Sequence, residues 1–187
     1  MVELPKATAR LSQIEREDLP AEQQHIFDEI AGSRGAVRGP FAMLLHSPEV
    51  AGRIAHTGAY IRFETTLQDD LREVAILTTA RFWDCQYEWT AHQRIAESEA
   101  GTRPEAIAAI RDRQAPTGLT SDEAIVFNFV SELLNKHRVS DSTFKVANDR
   151  FGDKATVDLT ATAGYYSMIA GTLNAFAVEP DIGTLPV

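Results

Sequence analysis

Apolar residues recur at the spacing of an α-helix along most of this chain, and no other sequence feature constrains the fold as strongly. Ile125, Phe129 and Leu133 illustrate the pattern, because steps of four residues return to the same helix face. Runs that alternate apolar with polar β-branched residues, as in a half-buried strand, are almost absent from the sequence. The sequence therefore predicts an all-α fold.

Capping residues and helix breakers divide the chain into segments. Pro48 after Ser47 is a typical helix start, and Asp84 is positioned to cap a helix that begins at Cys85. The predicted helices cover approximately residues 21–31, 48–63, 68–82, 85–99, 104–110, 121–136 and 141–151, with a last one from residue 153. Because no linker or low-complexity stretch interrupts them, we expect one helical domain over residues 21–180, preceded by an arm at 1–20 and followed by a tail at 181–187.

The charge of the chain excludes some classes of partner. The 18 lysines and arginines are outnumbered by 27 aspartates and glutamates, which gives a net charge of -9. Such a chain has little electrostatic attraction for a nucleic-acid backbone, so we expect no nucleic-acid partner. The N-terminal residues lack the apolar core of a signal peptide, which favours a cytoplasmic protein.

Residues 159–178 contain no charged side chain over a length that could cross a bilayer. The same stretch includes Thr160, Thr162, Ser167 and Asn174, which make it too polar for a typical membrane span. We therefore expect a helix buried in a protein core and no membrane association.

The chain has a single cysteine, Cys85. One cysteine excludes an intramolecular disulfide, a Cys₄ or Cys₂His₂ zinc site within one chain, and a self-contained dithiol redox pair. Cys85 is then a packing residue, a lone reactive thiol or a partner for another chain. Glu73, Glu88 and His92 offer metal-binding atoms, but these three residues form no HExxH or ExxH pair, so we predict no metal and no cofactor.

Residues 71–96 hold the side chains most suited to chemistry. Cys85, Glu88 and His92 follow one another at i, i+3 and i+7, which places them within an arc of about 60° on one helix face. Glu73 precedes them on another helix, and a tight turn between the helices would bring it toward His92. A carboxylate that orients an imidazole is a typical proton relay. We predict a catalytic group of Glu73, Cys85, Glu88 and His92.

Ordinary structural roles also explain each of these residues taken singly, as a buried cysteine, a surface ion pair or a core imidazole. Together, three ionisable groups on one partly apolar face are costly to bury without a function, which favours the catalytic interpretation. Aromatic and polar residues elsewhere are candidates for the wall of a substrate pocket. We predict substrate contacts for His46, Arg81, Tyr87, Trp89 and Tyr165.

The stretch around Cys85 resembles the carboxymuconolactone decarboxylase and alkylhydroperoxidase D-like superfamily. The peroxidase branch of that superfamily carries a glutamate, then eleven residues, then Cys-x-x-Cys-x-x-x-His. Glu73, Cys85 and His92 match this pattern in type and spacing, and Glu88 replaces the second cysteine. The resemblance implies an alkylhydroperoxidase D-like helical fold, assembled as a homo-oligomer such as a dimer, trimer or hexamer.

The two branches of the superfamily imply different chemistries. In the peroxidase branch a hydroperoxide is reduced by one cysteine and the second cysteine closes a disulfide, so a chain with Cys85 alone needs an external thiol. The decarboxylase branch implies acid–base chemistry on a small carboxylated lactone or organic acid, with His92 and a glutamate moving protons. We expect the second, a lyase- or isomerase-type enzyme. A one-cysteine peroxidase and a non-catalytic ligand-binding protein stay open as alternatives. The substrate anion would be bound by an arginine, with four candidates: Arg34, Arg38, Arg53 and Arg81.

Overall fold

The computed structural model of the protein describes residues 9–183 and residue 185. Every regular element within these residues is helical, and no strand is present among them. Two short 3₁₀ turns, Arg16–Asp18 and Ala21–Gln23, precede the first α-helix. The α-helices are α1 (Gln24–Arg34), α2 (Pro40–Leu44), α3 (Pro48–Phe63), α4 (Asp69–Phe82), α5 (Gln86–Ser98), α6 (Pro104–Arg111), α7 (Ser121–Lys136) and α8 (Asp141–Ala175). The predicted all-α fold is confirmed.

Helix α4 lies at the centre of the bundle and packs against α5, α6, α7 and α8. Every residue from Glu73 to Ala80 is buried. Thr78 and Thr79 satisfy their hydroxyl groups locally, because each donates to the carbonyl oxygen four residues earlier, at 2.7 Å and 2.9 Å. Glu73 carries the only charged side chain in this buried run, so its carboxylate needs an internal partner.

The turn between α4 and α5 folds the two helices into a hairpin. Asp84 has a left-handed backbone with φ 45°, and Cys85 occupies the N-cap position of α5. The prediction that Asp84 caps this helix is therefore wrong by one residue, because the left-handed turn comes before the cap. The carboxylate of Asp84 instead pairs with Arg81 and Arg113, which tie the turn to the segment after α6.

Helix α8 changes direction at Gly152, whose backbone (φ 83°, ψ 170°) is not helical. Residues other than glycine rarely adopt this conformation, so glycine permits the break at the position that the sequence predicts. The part after the break contains most of the uncharged stretch and runs through the core, with Leu159, Ala163 and Tyr166 buried. Within residues 9–183 and residue 185, no helix is both long and apolar enough to cross a membrane.

Both ends of the described chain contact the bundle. The backbone N–H and the guanidinium of Arg10 donate to Phe176 O and Ala175 O, at 2.8 Å and 2.9 Å, where the end of α8 leaves carbonyl groups free. The side chain of Gln86 bonds in both directions to the backbone of Leu185, which is buried. The predicted arm and tail therefore include residues that pack on the core, and their remaining positions, 1–8, 184, 186 and 187, lie outside the described residues.

Asp158 ties α8 to the loop between α3 and α4. Its buried carboxylate accepts hydrogen bonds from Tyr60 Oη at 3.1 Å, from Thr65 Oγ1 at 3.1 Å, from both the N–H and the hydroxyl of Thr66, and from Lys154 Nζ at 3.0 Å. Burial alone would raise the pKa of Asp158, but these donors outweigh it and lower the pKa to about 2.

This carboxylate makes the stability of the fold depend on pH. Because the folded pKa is lower than the unfolded one, the stabilisation is present above about pH 4 and is lost as pH falls toward 2. We expect Asp158→Asn to lower the free energy of unfolding at pH 7 by roughly 2 kcal/mol and to flatten its acid dependence in urea titrations. Asp149→Asn, exposed on the same helix, is the control and should change neither. Unaltered acid dependence in Asp158→Asn would contradict the assignment.

Candidate functional site

A buried row of carboxylate, imidazole and carboxylate joins α4 to α5. Glu88 and His92 lie one turn apart on α5, and Glu73 faces them from α4. His92 Nδ1 is 2.8 Å from Glu73 Oε2, and His92 Nε2 is 3.5 Å from Glu88 Oε2. All three residues are buried, with exposed fractions of 2% for Glu73, 5% for Glu88 and 6% for His92. The fold therefore brings together three of the four side chains in the predicted catalytic group.

Burial and mutual contact set the protonation of this row. Burial raises the pKa of Glu88, and the positive charges of His92 and Arg62 offset the rise only in part. Burial acts against a charged His92, but the charge and hydrogen bond of Glu73 outweigh it, so the pKa of His92 is raised. Both shifts favour the protonated form, which is an imidazolium at His92 and a neutral acid at Glu88. A protonated Glu88 also limits the number of charges buried in the row.

A cleft with a volume of about 190 Å³ opens onto Glu88 and His92. Its walls come from the segment around α2, the end of α3, one face of α5 and the second part of α8. The lining residues are Arg34, Ala36, Arg38, Pro40, Phe41, Arg62, Tyr87, Glu88, Ala91, His92, Ile95, Tyr165, Tyr166 and Ile169. Arginines set among aromatic and apolar walls suit a small organic anion, because the rings contact its carbon skeleton and the guanidinium groups its charge.

Only some of the arginines that the sequence suggests for binding the substrate anion line the cleft. Arg34 and Arg38 line it, whereas Arg53 pairs with a glutamate elsewhere on α3. Arg62 also lines it, with its guanidinium 5.2 Å from the ring centroid of Phe63. The sequence gives no signal for Arg62, since a cation in the last turn of a helix is ordinary. No ion pair to Arg62 occurs among the residues that the structure describes, which leaves its charge available to a bound anion.

Two tyrosines in edge-to-face contact connect the row to the cleft wall. The ring of Tyr166 lies edge-on to His92 with centroids 4.9 Å apart, and Tyr165 lies edge-on to Tyr166 at 5.2 Å. The hydroxyl of Tyr165 is against Gly58 in α3, where any side chain would overlap it. The position of Tyr165 in the wall therefore depends on the missing side chain at residue 58.

We expect Gly58→Ala to destabilise the protein by about 1–3 kcal/mol, which is the usual cost of overpacking a core. This cost outweighs the higher helix propensity of alanine compared with glycine. The added methyl group would overlap Tyr165 and approach Arg34 Nη2 at 3.0 Å. Gly52→Ala is a matched control in the same helix, because the nearest atom there is 3.4 Å away. Thermal unfolding should show a lower midpoint for Gly58→Ala than for Gly52→Ala. Equal midpoints for the two variants would contradict the close contact with Tyr165.

Cys85 is separated from this cleft. It is 1% exposed, packs in a cluster with Ile61, Ile76 and Tyr166, and is absent from the cleft lining. Burial raises the pKa of its thiol to about 12, which the backbone N–H of Glu88 offsets only in part. The thiol therefore stays protonated near neutral pH and faces the protein core. Of the predicted catalytic group, the cysteine is the member that the fold does not bring to the cleft.

The predicted substrate contacts divide in a similar way. Tyr87 and Tyr165 line the cleft. Trp89 is fully buried in the main core, since the residue after Glu88 in a helix points about 100° away from it. His46 contacts the N-terminal arm through a 2.9 Å hydrogen bond, and Arg81 lines a different cleft between α4, α6 and α7. The fold does not bring His46, Arg81 or Trp89 to the cleft.

No cluster of three or more histidine, cysteine, aspartate or glutamate side chains suited to a metal ion occurs in the part of the chain that the structure describes. That the protein works without a metal ion or a cofactor stays a prediction.

Residues 48–132 match the model of the carboxymuconolactone decarboxylase family. The matched segment begins with α3, ends within α7 and contains the entire row of Glu73, His92 and Glu88. This segment belongs to the carboxymuconolactone decarboxylase family. The superfamily that the sequence resembles is thereby confirmed. No protein with a curated description matches the chain.

Two solved structures share the fold of this chain. A peroxidase-related protein from Ralstonia eutropha JMP134, described as an alkylhydroperoxidase AhpD core, has a TM-score of 0.78 and 18% identity, over 96% of this chain and 94% of that chain. A peroxidase-related protein from Silicibacter sp. TM1040 has a TM-score of 0.76 and 19% identity, over 97% of this chain and 96% of that chain. These similarities confirm the alkylhydroperoxidase D-like fold.

Proposed function

We propose that this carboxymuconolactone decarboxylase-family protein is an acid–base enzyme that decarboxylates or isomerises a small carboxylated lactone or a related organic acid. The observation that carries the proposal is the contact of Glu88 with His92 at 3.5 Å in the lining of a cleft that also holds arginines, with the pKa of both groups raised. Ionisable groups whose environments shift their pKa values toward neutrality are typical of acid–base sites.

The geometry supports a defined sequence of proton steps for decarboxylation. When the bond to the carboxylate breaks, its electron pair stays on the ring carbon and spreads onto the lactone carbonyl, and CO₂ leaves. The carbon then needs one proton, and Glu88 is placed to donate it because burial raises its pKa and so favours the protonated carboxyl group. His92 can restore the proton of Glu88 across the 3.5 Å contact, while Glu73 holds the imidazole in place. Isomerisation would use the same groups to remove a proton and return it at another carbon.

The remaining walls of the cleft have a binding role in this proposal. Arg34, Arg38 and Arg62 would attract the substrate anion and any negative charge that develops on the lactone oxygen. Tyr87 and Phe41 provide aromatic surface for a small ring. A volume of about 190 Å³ suits a compact molecule.

The first experiment is an assay of CO₂ release from a carboxymuconolactone by the wild-type protein, together with nuclear magnetic resonance of the products. Release of CO₂, or a shifted double bond, would support the acid–base proposal. Saturable binding of the lactone without turnover would instead favour a ligand-binding protein.

We expect Cys85→Ser to retain most of the acid–base activity, and the native thiol to resist hydroperoxide. The reason is burial, which keeps the thiol protonated and away from the cleft. Intact mass after treatment with tert-butyl hydroperoxide should show no added oxygen in the native protein. Protein unfolded in urea is the control, because its exposed thiol should oxidise. A native sulfenic acid at Cys85, with sustained peroxide consumption on adding dithiothreitol, would support the one-cysteine peroxidase instead.

The predicted small-molecule substrate follows from the proposed function, and the predicted homo-oligomer and cytoplasmic location stay predictions. Phe144, Val146 and Val157 on α8 are large apolar residues between 48% and 66% exposed. Such residues offer a surface through which copies of the chain could associate.

A further inference from the structure

We propose that the row of Glu73, His92 and Glu88 has a second opening, and that Glu73 exchanges protons with water through a cleft separate from the substrate cleft. This inference deepens the acid–base function proposed above, on which its biological purpose rests. Its test does not depend on that function.

A second, polar cleft of about 320 Å³ lies between the end of α3, the start of α4 and the end of α5. Its lining residues are Arg62, Phe63, Asp69, Arg72, Glu73, Ile95, Glu99 and Ala100. Glu73 is therefore at the edge of this cleft while its Oε2 accepts the hydrogen bond of His92, whereas Glu88 and His92 line the substrate cleft. The row reaches from one cleft to the other.

The two clefts share only a thin wall. Arg62 and Ile95 appear in the lining of both, so these two side chains stand between them. A molecule that fills the substrate cleft would cover Glu88 and His92 and leave Glu73 accessible from the other side. The side chain of Glu73 is 3% exposed, which limits the contact with water to one edge of the carboxylate.

Arg72 supplies a second observation that points to water in this cleft. Its Nη1 pairs with Asp69 at 2.8 Å, but its buried Nε has no acceptor among the described residues. A buried donor of this kind is normally satisfied by an ordered water, provided that the cavity is polar and large enough. Since Arg72 and Glu73 are neighbours that line the same cleft, water held by Arg72 would also have access to the Glu73 carboxylate.

Decarboxylation gives such an opening a purpose, because the reaction consumes a proton. The balance is R–CO₂⁻ + H⁺ → R–H + CO₂, so each turnover leaves the row one proton short. If the substrate cleft were the only route, Glu88 and His92 could recover this proton only after the product had left. With the second opening, water can protonate Glu73 while the substrate cleft is occupied. After His92 has given its Nε2 proton to Glu88, the ring keeps its other proton on Nδ1, so the imidazole must rotate before Glu73 can protonate the nitrogen that then faces it.

The exchange of the His92 Nδ1 proton with water tests the proposal directly. Protein labelled with ¹⁵N-histidine gives this proton a signal that His92→Gln identifies by its loss. Ala91→Phe fills the substrate cleft and Ala100→Phe fills the second one, since each alanine lines only one of them. We expect Ala91→Phe to exchange nearly as fast as wild type and Ala100→Phe to exchange more slowly, because the Nδ1 proton faces Glu73 and Glu73 lines only the second cleft. The double variant should exchange at no more than about one tenth of the wild-type rate, because exchange then requires local opening of the fold.

Two results would overturn the second opening. In the first, Ala91→Phe alone slows exchange as much as the double variant does. In the second, the double variant exchanges as fast as wild type. Thermal unfolding checks that the variants fold, and Glu99→Phe is another way to fill the second cleft if Ala100→Phe does not. Because no substrate is used, failure here leaves the CO₂ assay to judge the proposed function, and failure of that assay leaves the exchange result standing.

Discussion

Replacing His92 with glutamine should lower kcat for CO₂ release by about 10²- to 10⁴-fold. Glutamine is close in size and can still hydrogen-bond to Glu73, but it cannot carry a proton between two carboxylates. Glu88 would then donate one proton and recover it only from water in the substrate cleft, after the product has left. Initial rates at saturating substrate measure the effect, and circular dichroism verifies that the variant is folded.

His56→Gln is the matched control for this variant, because His56 is exposed on α3 and does not line the substrate cleft. It should keep the wild-type rate. The acid–base proposal fails if His92→Gln keeps a wild-type rate. It also fails if Cys85→Ser abolishes turnover while His92→Gln does not, since that ranking would assign the chemistry to the thiol.

Trp89→Ala should have the largest effect on stability of the substitutions considered, lowering the free energy of unfolding by about 3–5 kcal/mol. Trp89 is 0% exposed and belongs to the core cluster that surrounds α4. Its indole N–H also donates to Gln93 Oε1 at 2.9 Å, and this bond is lost as well. Truncation leaves a large cavity that the rigid helices around it can close only in part. Urea denaturation, monitored by far-ultraviolet circular dichroism, measures the loss.

Trp83→Ala is the comparison, because the other tryptophan of the chain is 40% exposed at the turn between α4 and α5. Trp83→Ala should lower the free energy of unfolding by no more than about 1 kcal/mol. The contrast also separates two roles for Trp89. If Trp89→Ala kept its stability and raised only the KM for the lactone, the side chain would be a substrate contact and its place in the core would be wrong.

The helices follow closely from the sequence because their signals are local. The proline after Ser47 and the acidic pair at Asp69 and Asp70 mark the starts of α3 and α4 within one residue. Ser140 caps α8 through a hydrogen bond from the Thr143 N–H, as its position before the helix predicts. The predicted bounds of α1 are less accurate, since the helix begins at Gln24 after a 3₁₀ turn and continues to Arg34. The helix ends at Gly35, whose left-handed backbone (φ 76°) is typical of a glycine C-cap.

The helix-face argument works for Glu88 and His92 and fails for Cys85, and the reason is backbone geometry. Glu88 and His92 both lie inside α5, so their spacing of four residues places them on one face. Cys85 is the N-cap, with φ -85° and ψ 101°, and so lies outside the regular helix. The angle of about 100° per residue does not apply across that position. The thiol therefore points into the core against α8.

The sequence by itself determines that the chain is helical, that its catalytic candidates are concentrated in residues 71–96, and that its cysteine has no second cysteine to pair with. These conclusions depend on residue type and on spacing within a single helix. Only the tertiary structure decides that Arg62 faces the row, that Trp89 is core and that Glu73 borders a second cleft. Those facts depend on how helices rotate and pack against each other, and packing is set by contacts between residues that are distant in sequence.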